Sequence, residues 1–392
     1  MIFFQKPTNN QKLPFFPKIS LKNSPNIQTP FFYTDINLVK KRYQELKISL
    51  DSNWPKRHIV AFSFKTNYDI IDKIKKELDI SAEIVSSMEY KIAKDLKFPN
   101  TKIIYNGPNK SNLSEIIKQK DILINLDNQS EINQIVKNKN QIKCQLGIRL
   151  NSDLKKSRFG FNIENGDTQN AINQLKKNQI KIDGLHIHLG FYSSPTLYRQ
   201  ISQKIIEIIQ QNRLKPDYID FGGGFPSHGL KPYGFKKYNV PPIDEYISQI
   251  CSPLNIFYKN NDRPTLIVEP GRFLVDDSTV FITKIIHSQV IKNQQTIFVD
   301  ATNQMLSSVW FRPQIIDSPK NKKNKKINTI IYGSSCQEDD VLYQGDLPYV
   351  KNNDSIYFYC VGAYNQNMGN NFIFPKPQTI YSSNLSKNQL SI

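Results

Sequence analysis

A regular alternation of short apolar segments and longer amphipathic segments, from Phe31 to about Arg272, constrains the fold of this chain most strongly. The apolar segments, such as His58–Phe64 and Ile182–Leu189, have the length of buried strands. The segments between them, such as Gln129–Lys137, have the spacing of helices that bury one face. Because strand and helix alternate about eight times, the pattern predicts parallel strands in a (β/α)8 TIM-type barrel of ~250 residues.

A different pattern follows the barrel. Four strand-like segments have no long helix between them, namely Phe273–Val290, Gln295–Asp300, Asn328–Tyr332 and Ser355–Cys360. This pattern favours a C-terminal all-β domain, either a barrel or a sandwich. We therefore expect a Pro- and Asn-rich lead-in at residues 1–30 that contributes to the β domain, a barrel at 31–272 and the β domain itself at 273–392.

Composition limits the classes of function. With 392 residues and 39% hydrophobic residues, the chain can bury a large core, which excludes disorder throughout. The net charge of +18 comes from lysines spread along the chain, whereas a nucleic-acid footprint would cluster. The one dense basic run, Lys320–Lys326, is expected to be a solvated loop.

The cysteines and the apolar segments indicate in which cellular compartment the protein is expected. The four cysteines form no CxxC pair, so neither a zinc site nor a disulfide framework is expected. The sequence has no continuous apolar stretch of the length needed for a signal peptide or a membrane span. We expect a cytoplasmic protein that binds neither nucleic acid nor membrane.

Candidate functional residues lie where the predicted barrel strands end, which is where barrel enzymes carry their active sites. Lys65 ends the first strand, and its apolar neighbours would lower the pKa of its amine, leaving it able to form an imine with an aldehyde. The alternative is a lysine that simply leaves the core. His186 and His188 share one face of a later strand, without a third metal ligand at a suitable spacing. Either could stack on an aromatic cofactor or be a hydrogen-bonded core residue.

Three further motifs carry polar or glycine residues. Gly222–Gly224 could present backbone N–H groups to a phosphate, or form only a tight turn. Glu269 and Arg272 could form a structural ion pair, or serve a ring nitrogen and a phosphate of one ligand. In the β domain, Cys336 stands close to three acids and is no obvious nucleophile, and a Gly-Ala-Tyr motif ends at Tyr364.

In this order, the motifs resemble those of the fold-type III PLP-dependent decarboxylases, the group of the ornithine, lysine, arginine and diaminopimelate decarboxylases. The motifs are Lys65, HIHLG, GGGFP, EPGR, the acidic cysteine loop and GAY, across residues 30 to 375. The resemblance implies an alanine-racemase-like barrel with a C-terminal β domain. It also implies pyridoxal 5'-phosphate (PLP) as cofactor, an amino-acid substrate, and a homodimer with composite active sites.

The resemblance further implies a role for each residue. Lys65 would hold PLP as a Schiff base, and His188 would stack on its ring. Glu269 would pair with the ring nitrogen and preserve the ring's capacity to accept electrons. Cys336, donated across the dimer interface, would protonate the carbanion that loss of CO2 leaves. The other implied cofactor contacts are Glu83, Arg149, Gly222, Gly223, Gly224, Gly271, Arg272 and Tyr364.

The substrate side departs from the family pattern. In the polyamine and diaminopimelate members an acid directly follows the cysteine and meets the distal ammonium of the substrate. Here that residue is Gln337, which cannot form the charge pair. Glu338 could take its place, and Asp340 matches a later acid of the family.

Other departures lie nearby. Ser307-Ser308 stand where diaminopimelate decarboxylases have Arg-Pro, whereas Arg312-Pro313 come later and Phe191 replaces a small residue. These departures favour a diamino acid or a conjugated, non-standard amino acid, including a carrier-tethered one, from a polyamine, siderophore or antibiotic-like pathway. The alternative is an ornithine/lysine or diaminopimelate decarboxylase of primary metabolism. An inactive homologue that acts as a binding regulator is a further alternative, opposed by the retained Lys65 and Cys336.

Overall fold

The computed structural model describes residues 27–55, 57–190, 193–227, 240–259, 263–310, 315–318 and 324–384, with the backbone of 18–19 and 390–391. Phe191, Arg312-Pro313 and residues 320–323 of the basic run lie outside the described residues. The strands are β1 Lys18–Ile19, β2 Phe31–Thr34, β3 His58–Ser63, β4 Ser81–Ile84, β5 Ile103–Tyr105, β6 Leu123–Leu126, β7 Gln145–Asn151, β8 Phe161–Asn162, β9 Gly184–Ile187, β10 Tyr218–Asp220, β11 Thr265–Val268, β12 Thr279–Ile291, β13 Gln294–Val299, β14 Ile315–Asp317, β15 Lys326–Tyr332, β16 Val341–Pro348, β17 Ser355–Tyr359, β18 Gln378–Tyr381 and β19 Leu390–Ser391. The helices are α1 Ile36–Asn53, α2 Ile71–Ile74, α3 Ser87–Asp95, α4 Leu113–Ile116, α5 Gln129–Lys137, α6 Asp167–Lys177, α7 Pro195–Gln211, α8 Ile243–Tyr258, α9 Arg272–Val275 and α10 Asn365–Met368.

Eight parallel strands close into a barrel in the order β3, β4, β5, β6, β7, β9, β10 and β11, with β11 paired to β3. A helix lies between each strand and the next, from α2 after β3 to α8 before β11. The predicted (β/α)8 barrel is therefore confirmed. The sequence pattern missed β4, because this buried strand contains Ser81 and Glu83 and so lacks a continuous apolar run.

Polar caps fix where helices begin at the carboxyl end of the barrel. Ser86 accepts a hydrogen bond from the backbone N–H of Glu89 at the start of α3, and Asn128 caps Glu131 of α5 in the same way. Ser194 caps α7, which packs against α8. Such caps satisfy N–H groups that a helix start leaves free, and they hold the preceding strand ends in place. Within the described part of the chain, every helix is too short or too polar to cross a bilayer.

The second domain is a sheet of eight strands in which β14, β17, β12, β13, β15 and β16 are consecutive neighbours. Most pairs are antiparallel, which confirms the predicted C-terminal β domain. The strand that the N-terminus adds is β2, which pairs with β12 and β18. The sequence pattern counted β2 with the barrel because its four residues are apolar or β-branched. All four are buried in the sheet domain.

The barrel interior is layered. Its floor is an apolar cluster of Ala61, Ile104, Leu123, Tyr218 and Ile267. On β7 and β9 the floor positions are glycines, and a Cβ at either glycine would collide with the side chain of Tyr218. The tyrosine ring thus fills the space that two neighbouring strands leave open.

Candidate active site

A ring of polar residues lies directly above the apolar floor. Every barrel strand contributes one residue to the ring, two positions after its floor residue, because side chains alternate along a strand. The ring residues are Ser63, Glu83, Asn106, Asn125, Arg149, His186, Asp220 and Glu269, and all of them are buried. This is the carboxyl end of the barrel, where the fold places active sites.

A cavity of about 430 Å³ opens above the ring. Five residues with predicted cofactor roles line it, namely Lys65, Glu83, Arg149, His188 and Glu269. Lys155 and Lys156, from the segment between β7 and β8, also line it. The cavity therefore combines three lysine amines, two carboxylates, two imidazoles and one guanidinium.

Lys65 lies in a turn that follows β3, with its Nζ 2.5 Å from Oε2 of Glu83. Burial by itself would lower the pKa of Lys65, but the charges of Glu83 and Glu269 act in the opposite direction and the balance raises it. The sequence-based expectation of a lowered pKa is wrong because apolar neighbours in sequence are not the groups that surround the amine. Ser63 donates to the same Glu83 oxygen over 2.6 Å and fixes the carboxylate from the other side.

Glu269 follows β11 and lies within a buried cluster of polar groups. Its Oε1 accepts a 2.5 Å hydrogen bond from Asn106, and its Oε2 lies 3.7 Å from Nε2 of His186. Burial and the charge of Glu269 raise the pKa of Asp220 well above its ordinary value. Burial would also raise the pKa of Glu269, but His186 and Lys65 outweigh it and lower the pKa.

Ligand atoms of His186, Asp220 and Glu269 lie within 4.8 Å of one another, which is compact enough for a metal site. Asp220 could not be recognised from the sequence as a further ligand beside His186, because the two residues are on different strands. In this cluster the charge of Glu269 raises the pKa of Asp220, so the two carboxyl groups influence each other's protonation.

His188 lies at the edge of the cavity, just beyond β9. Its Nδ1 accepts a 3.0 Å hydrogen bond from the backbone N–H of Gly223, so a neutral ring carries its proton on Nε2. Burial, and then the charge of Lys65, lower the pKa of His188 to about 3. The imidazole is therefore neutral near pH 7 and presents an uncharged flat face.

We expect His188→Phe to make the free energy of unfolding fall less steeply as the pH is lowered. Between pH 6.5 and about 3, the unfolded chain binds a proton that the folded His188 does not, so the free energy of unfolding falls as the pH falls through this range. The variant lacks this group and should lose stability less steeply, whatever its absolute stability. Urea unfolding at several pH values between about 4 and 7 measures both slopes. Equal slopes in the two proteins would contradict the expectation.

Arg149 projects from β7 and is held by two neighbours. Its Nη1 donates to Oδ2 of Asp127 over 2.7 Å, and its guanidinium carbon lies 4.8 Å from the centre of the Phe159 ring. A paired and stacked guanidinium has little freedom to move. Arg149 is thereby fixed at the cavity wall.

The glycine turn after β10 packs against the cavity residues. Gly222 and Gly224 have φ values of +61° and +89°, which only glycine adopts without strain, and a Cβ on Gly223 would collide with the carbonyl of Glu269. The N–H groups of Gly222 and Gly223 donate to Asp220 and His188. Two of the three N–H groups predicted to face a phosphate are therefore used within the protein.

Arg272 and Tyr364 join the two domains beside this turn. The guanidinium carbon of Arg272 lies 5.2 Å from the centre of the Tyr364 ring, and its Nη1 lies 3.5 Å from Asp276. The backbone N–H of Tyr364 donates to the carbonyl of Thr66, and a Cβ on Gly271 would collide with the Thr66 hydroxyl. Glu269 and Arg272 have different partners, so they are not the structural ion pair that the sequence left open.

The loop that carries Cys336 lies in the sheet domain, and none of the described residues that line the cavity comes from it. Cys336, Gln337 and Glu338 are exposed. Asp340 is buried, and its two carboxylate oxygens accept hydrogen bonds from the N–H groups of Asn303 and Ser335. Asp340 therefore holds the loop together, in contrast to the substrate contact expected for it, because both of its oxygens are committed to the backbone.

Sequence reasoning missed Asn106, Asn125, Asp127 and Asp220 as parts of this site. For Asn106, Asn125 and Asp220 the signal was the step of two residues from an apolar floor position to a polar position at the end of the strand. Asp127 lies two residues further on, beyond the end of β6. Single strands of three or four residues are too short to make that step conspicuous.

These residues fit PLP. The cavity offers a primary amine for an aldehyde, a buried carboxylate for a pyridine nitrogen, and the flat imidazole of His188 for an aromatic face. Gly223 packs against the carbonyl of Glu269 and Gly271 packs against Thr66 where no side chain would fit, so both glycine segments lie next to residues of the site.

Comparison with known proteins agrees with this fit. Residues 36–276 match the pyridoxal binding domain of the pyridoxal-dependent decarboxylases, and residues 227–362 match their C-terminal sheet domain. The diaminopimelate decarboxylase of Methanocaldococcus jannaschii is 27% identical over 88% of this chain and 84% of its own length.

Solved structures show the same fold. The M. jannaschii diaminopimelate decarboxylase in complex with L-lysine has a TM-score of 0.81 at 22% identity, over 94% of this chain and 93% of that one. The lysine/ornithine decarboxylase of Vibrio vulnificus, in complex with cadaverine, has a TM-score of 0.77 at 20% identity, over 92% and 94%. The chain is a PLP-dependent amino-acid decarboxylase with a fold-type III architecture. It belongs to the pyridoxal-dependent decarboxylase family.

Proposed function

We propose that this enzyme removes the α-carboxylate of a diamino acid of primary metabolism, with diaminopimelate as the first candidate. The observation that carries the proposal is the single cavity that Lys65 and Glu269 share. One of these groups can attach an aldehyde cofactor and the other can hold a ring nitrogen protonated, which are the two requirements for stabilising an α-carbanion.

Each residue then has a physical task. PLP supplies a protonated ring that accepts the electron pair left by departing CO2. Lys65 would attach the cofactor and, when its amine is free, would hold a proton beside Glu83. His188 would lie against one face of the ring as a neutral imidazole, which would add no charge to compete with the ring nitrogen.

The phosphate end has its own candidates. These candidates are Gly224, Gly271 and the pair that Arg272, the next residue in the chain, forms with Tyr364. We assign Gly222 and Gly223 to shaping this turn, because their N–H groups are already bonded. Arg149 forms a fixed wall of the cavity.

We further propose that the enzyme is a homodimer in which Cys336 reaches the cavity of the partner and protonates the α-carbon of the product. Cys336 is exposed and does not line the cavity of its own chain. The last residue of α10, Met368, and the segment after it expose apolar side chains that a second copy would cover, namely Met368, Phe372, Ile373 and Phe374. Light scattering that gives the mass of one chain at micromolar concentration would overturn the dimer.

The rim of the cavity favours a substrate with a distal carboxylate. Lys155 and Lys156 line it, and a cationic rim attracts a second carboxylate better than a second ammonium. Relatives named diaminopimelate decarboxylase also match 88–91% of this chain. A second candidate is a conjugated diamino acid without a free distal ammonium, which the neutral and exposed Gln337 favours.

Release of CO2 from a panel of amino acids tests these candidates. The panel contains diaminopimelate, lysine, ornithine, arginine and citryl or amide conjugates of the diamino acids. We expect diaminopimelate to have the highest kcat/KM, and the Lys155→Ala/Lys156→Ala variant to raise its KM roughly tenfold, as the loss of a charge-assisted contact would. Fastest turnover of a conjugate would replace diaminopimelate by the second candidate, and turnover of no amino acid would overturn the proposed function.

A further inference from the structure

A chain of hydrogen bonds crosses the barrel interior below the cavity. The hydroxyl of Tyr218 donates to Oδ1 of Asn125 over 2.8 Å, and Nδ2 of Asn125 donates to Oδ1 of Asn106 over 2.8 Å. Nδ2 of Asn106 then donates to Oε1 of Glu269 over 2.5 Å and to Oε1 of Glu83 over 3.2 Å. All of these side chains are at most 2% exposed.

The direction of this chain determines how each amide is oriented. A carboxylate accepts hydrogen bonds only, so the group of Asn106 between Glu83 and Glu269 has to be its NH2 group. The carbonyl oxygen of Asn106 then faces Asn125, which can satisfy it only with its own NH2 group. The remaining oxygen of Asn125 needs a donor, and the hydroxyl of Tyr218 provides it.

We propose that Asn106 is a positioning residue that fixes the carboxylates of Glu83 and Glu269 relative to each other, with its own amide oriented by Asn125 and Tyr218. The inference rests on the proposed function, in which Glu83 lies beside the cofactor-binding Lys65 and Glu269 holds the ring nitrogen. Asn106 is a good bridge because both of its amide hydrogens are used, one on each carboxylate.

Without this bridge the two glutamates would face each other across a buried space with like charges and unsatisfied lone pairs. Glu83 would keep Lys65 and Ser63 as partners, whereas Glu269 would keep His186 at 3.7 Å. Glu269 is therefore the carboxylate that depends more on Asn106. Loss of Asn106 should loosen the cofactor at its ring nitrogen rather than at its point of attachment.

Two replacements of Asn106 separate positioning from filling of space. Asn106→Ala removes both hydrogen bonds and should weaken the affinity of the apoenzyme for PLP roughly tenfold. Asn106→Asp has nearly the same shape but places a third carboxylate between the other two, so it should weaken PLP binding further, by roughly a hundredfold. In both variants we expect weaker visible circular dichroism of the bound cofactor, because the ring is held less firmly, and a lower kcat with little change in KM.

Asn100→Ala is the matched control, because Asn100 precedes the opposite end of the same strand, β5, and its side chain bonds to the exposed Lys94 and to the carbonyl of Lys120. It should keep the affinity and the dichroism of the parent enzyme. Tyr218→Phe removes only the hydroxyl at the start of the chain, and should shift both readouts in the same direction as Asn106→Ala but less. It keeps the test decisive if the Asn106 variants do not fold.

The proposal is overturned if Asn106→Asp binds PLP as tightly as Asn106→Ala or more tightly, or if Tyr218→Phe matches the parent in both readouts. The affinity for PLP and the visible circular dichroism can both be measured without a substrate. A parent enzyme that binds PLP but decarboxylates no amino acid would refute the proposed function and leave the positioning role intact.

Discussion

Lys65→Ala should abolish the yellow colour of the PLP-loaded protein and lower decarboxylation by roughly 10³-fold or more, the scale expected when a group that moves protons and attaches the reacting species is lost. The Lys65 amine can bond to an aldehyde, and it is held in place by Glu83, which Ser63 also contacts. The absorption spectrum and the rate of CO2 release measure the two losses separately. A Lys65→Ala protein that stays yellow and active would refute the assignment.

Lys102→Ala provides the control, because Lys102 lies next to the amino-terminal end of β5 and forms a surface ion pair with Asp79. Such surface ion pairs contribute little to stability, so colour and activity should remain.

Mixing the Lys65→Ala protein with the Cys336→Ala protein extends the test to the dimer. If each site takes Lys65 from one chain and Cys336 from the other, mixed dimers contain one intact site and recover activity that neither variant has alone.

Glu269→Gln should retain the colour but lower kcat by roughly a hundredfold, because a neutral amide cannot keep the ring nitrogen protonated. The replacement preserves the shape of the side chain and removes the charge that raises the pKa of the buried Asp220. We therefore expect the variant to be no less stable than the parent. Spectra, kcat and thermal unfolding of the same preparation distinguish loss of chemistry from loss of structure.

Glu245→Gln serves as the matched control, since Glu245 is exposed in the first turn of α8. Its kcat should equal that of the parent. A Glu269→Gln enzyme with parental kcat would show that the charge of Glu269 has no role in the reaction. A colourless variant would instead place Glu269 in cofactor attachment.

The alternation of apolar and amphipathic segments was sufficient to predict the barrel, because the parallel strands are buried on both sides and most of their residues are apolar. It failed at β4, where Ser81 and Glu83, of which Glu83 lines the cavity, interrupt the apolar run of a strand of four residues. It also missed α1, the long helix that precedes the first barrel strand. Local patterns carry no information about which strand completes a sheet, so the place of β2 beside β12 needed the structure.

The site was predicted where a residue type is unusual for its position. Lys65, His188 and Glu269 all end barrel strands and line the cavity as expected. Their charge states were not predictable, because the pKa of Lys65 depends on Glu83, a residue on the neighbouring strand. Asn106 escaped notice because an asparagine after a strand is common, and its two carboxylate partners come from β4 and β11.

The place of β2 has a consequence for synthesis of the chain. Thr34 of β2 bonds to Thr279 of β12, 245 residues later, and β18 is made later still. At a translation rate of ~5–20 residues per second, the apolar Phe31–Thr34 segment waits about 10–50 s on the ribosome before its partner emerges. An unpaired apolar strand is a site of aggregation, so nascent chains should depend on chaperones during this interval. Slower translation between β3 and β11 would prolong that exposure and lower the yield of native enzyme.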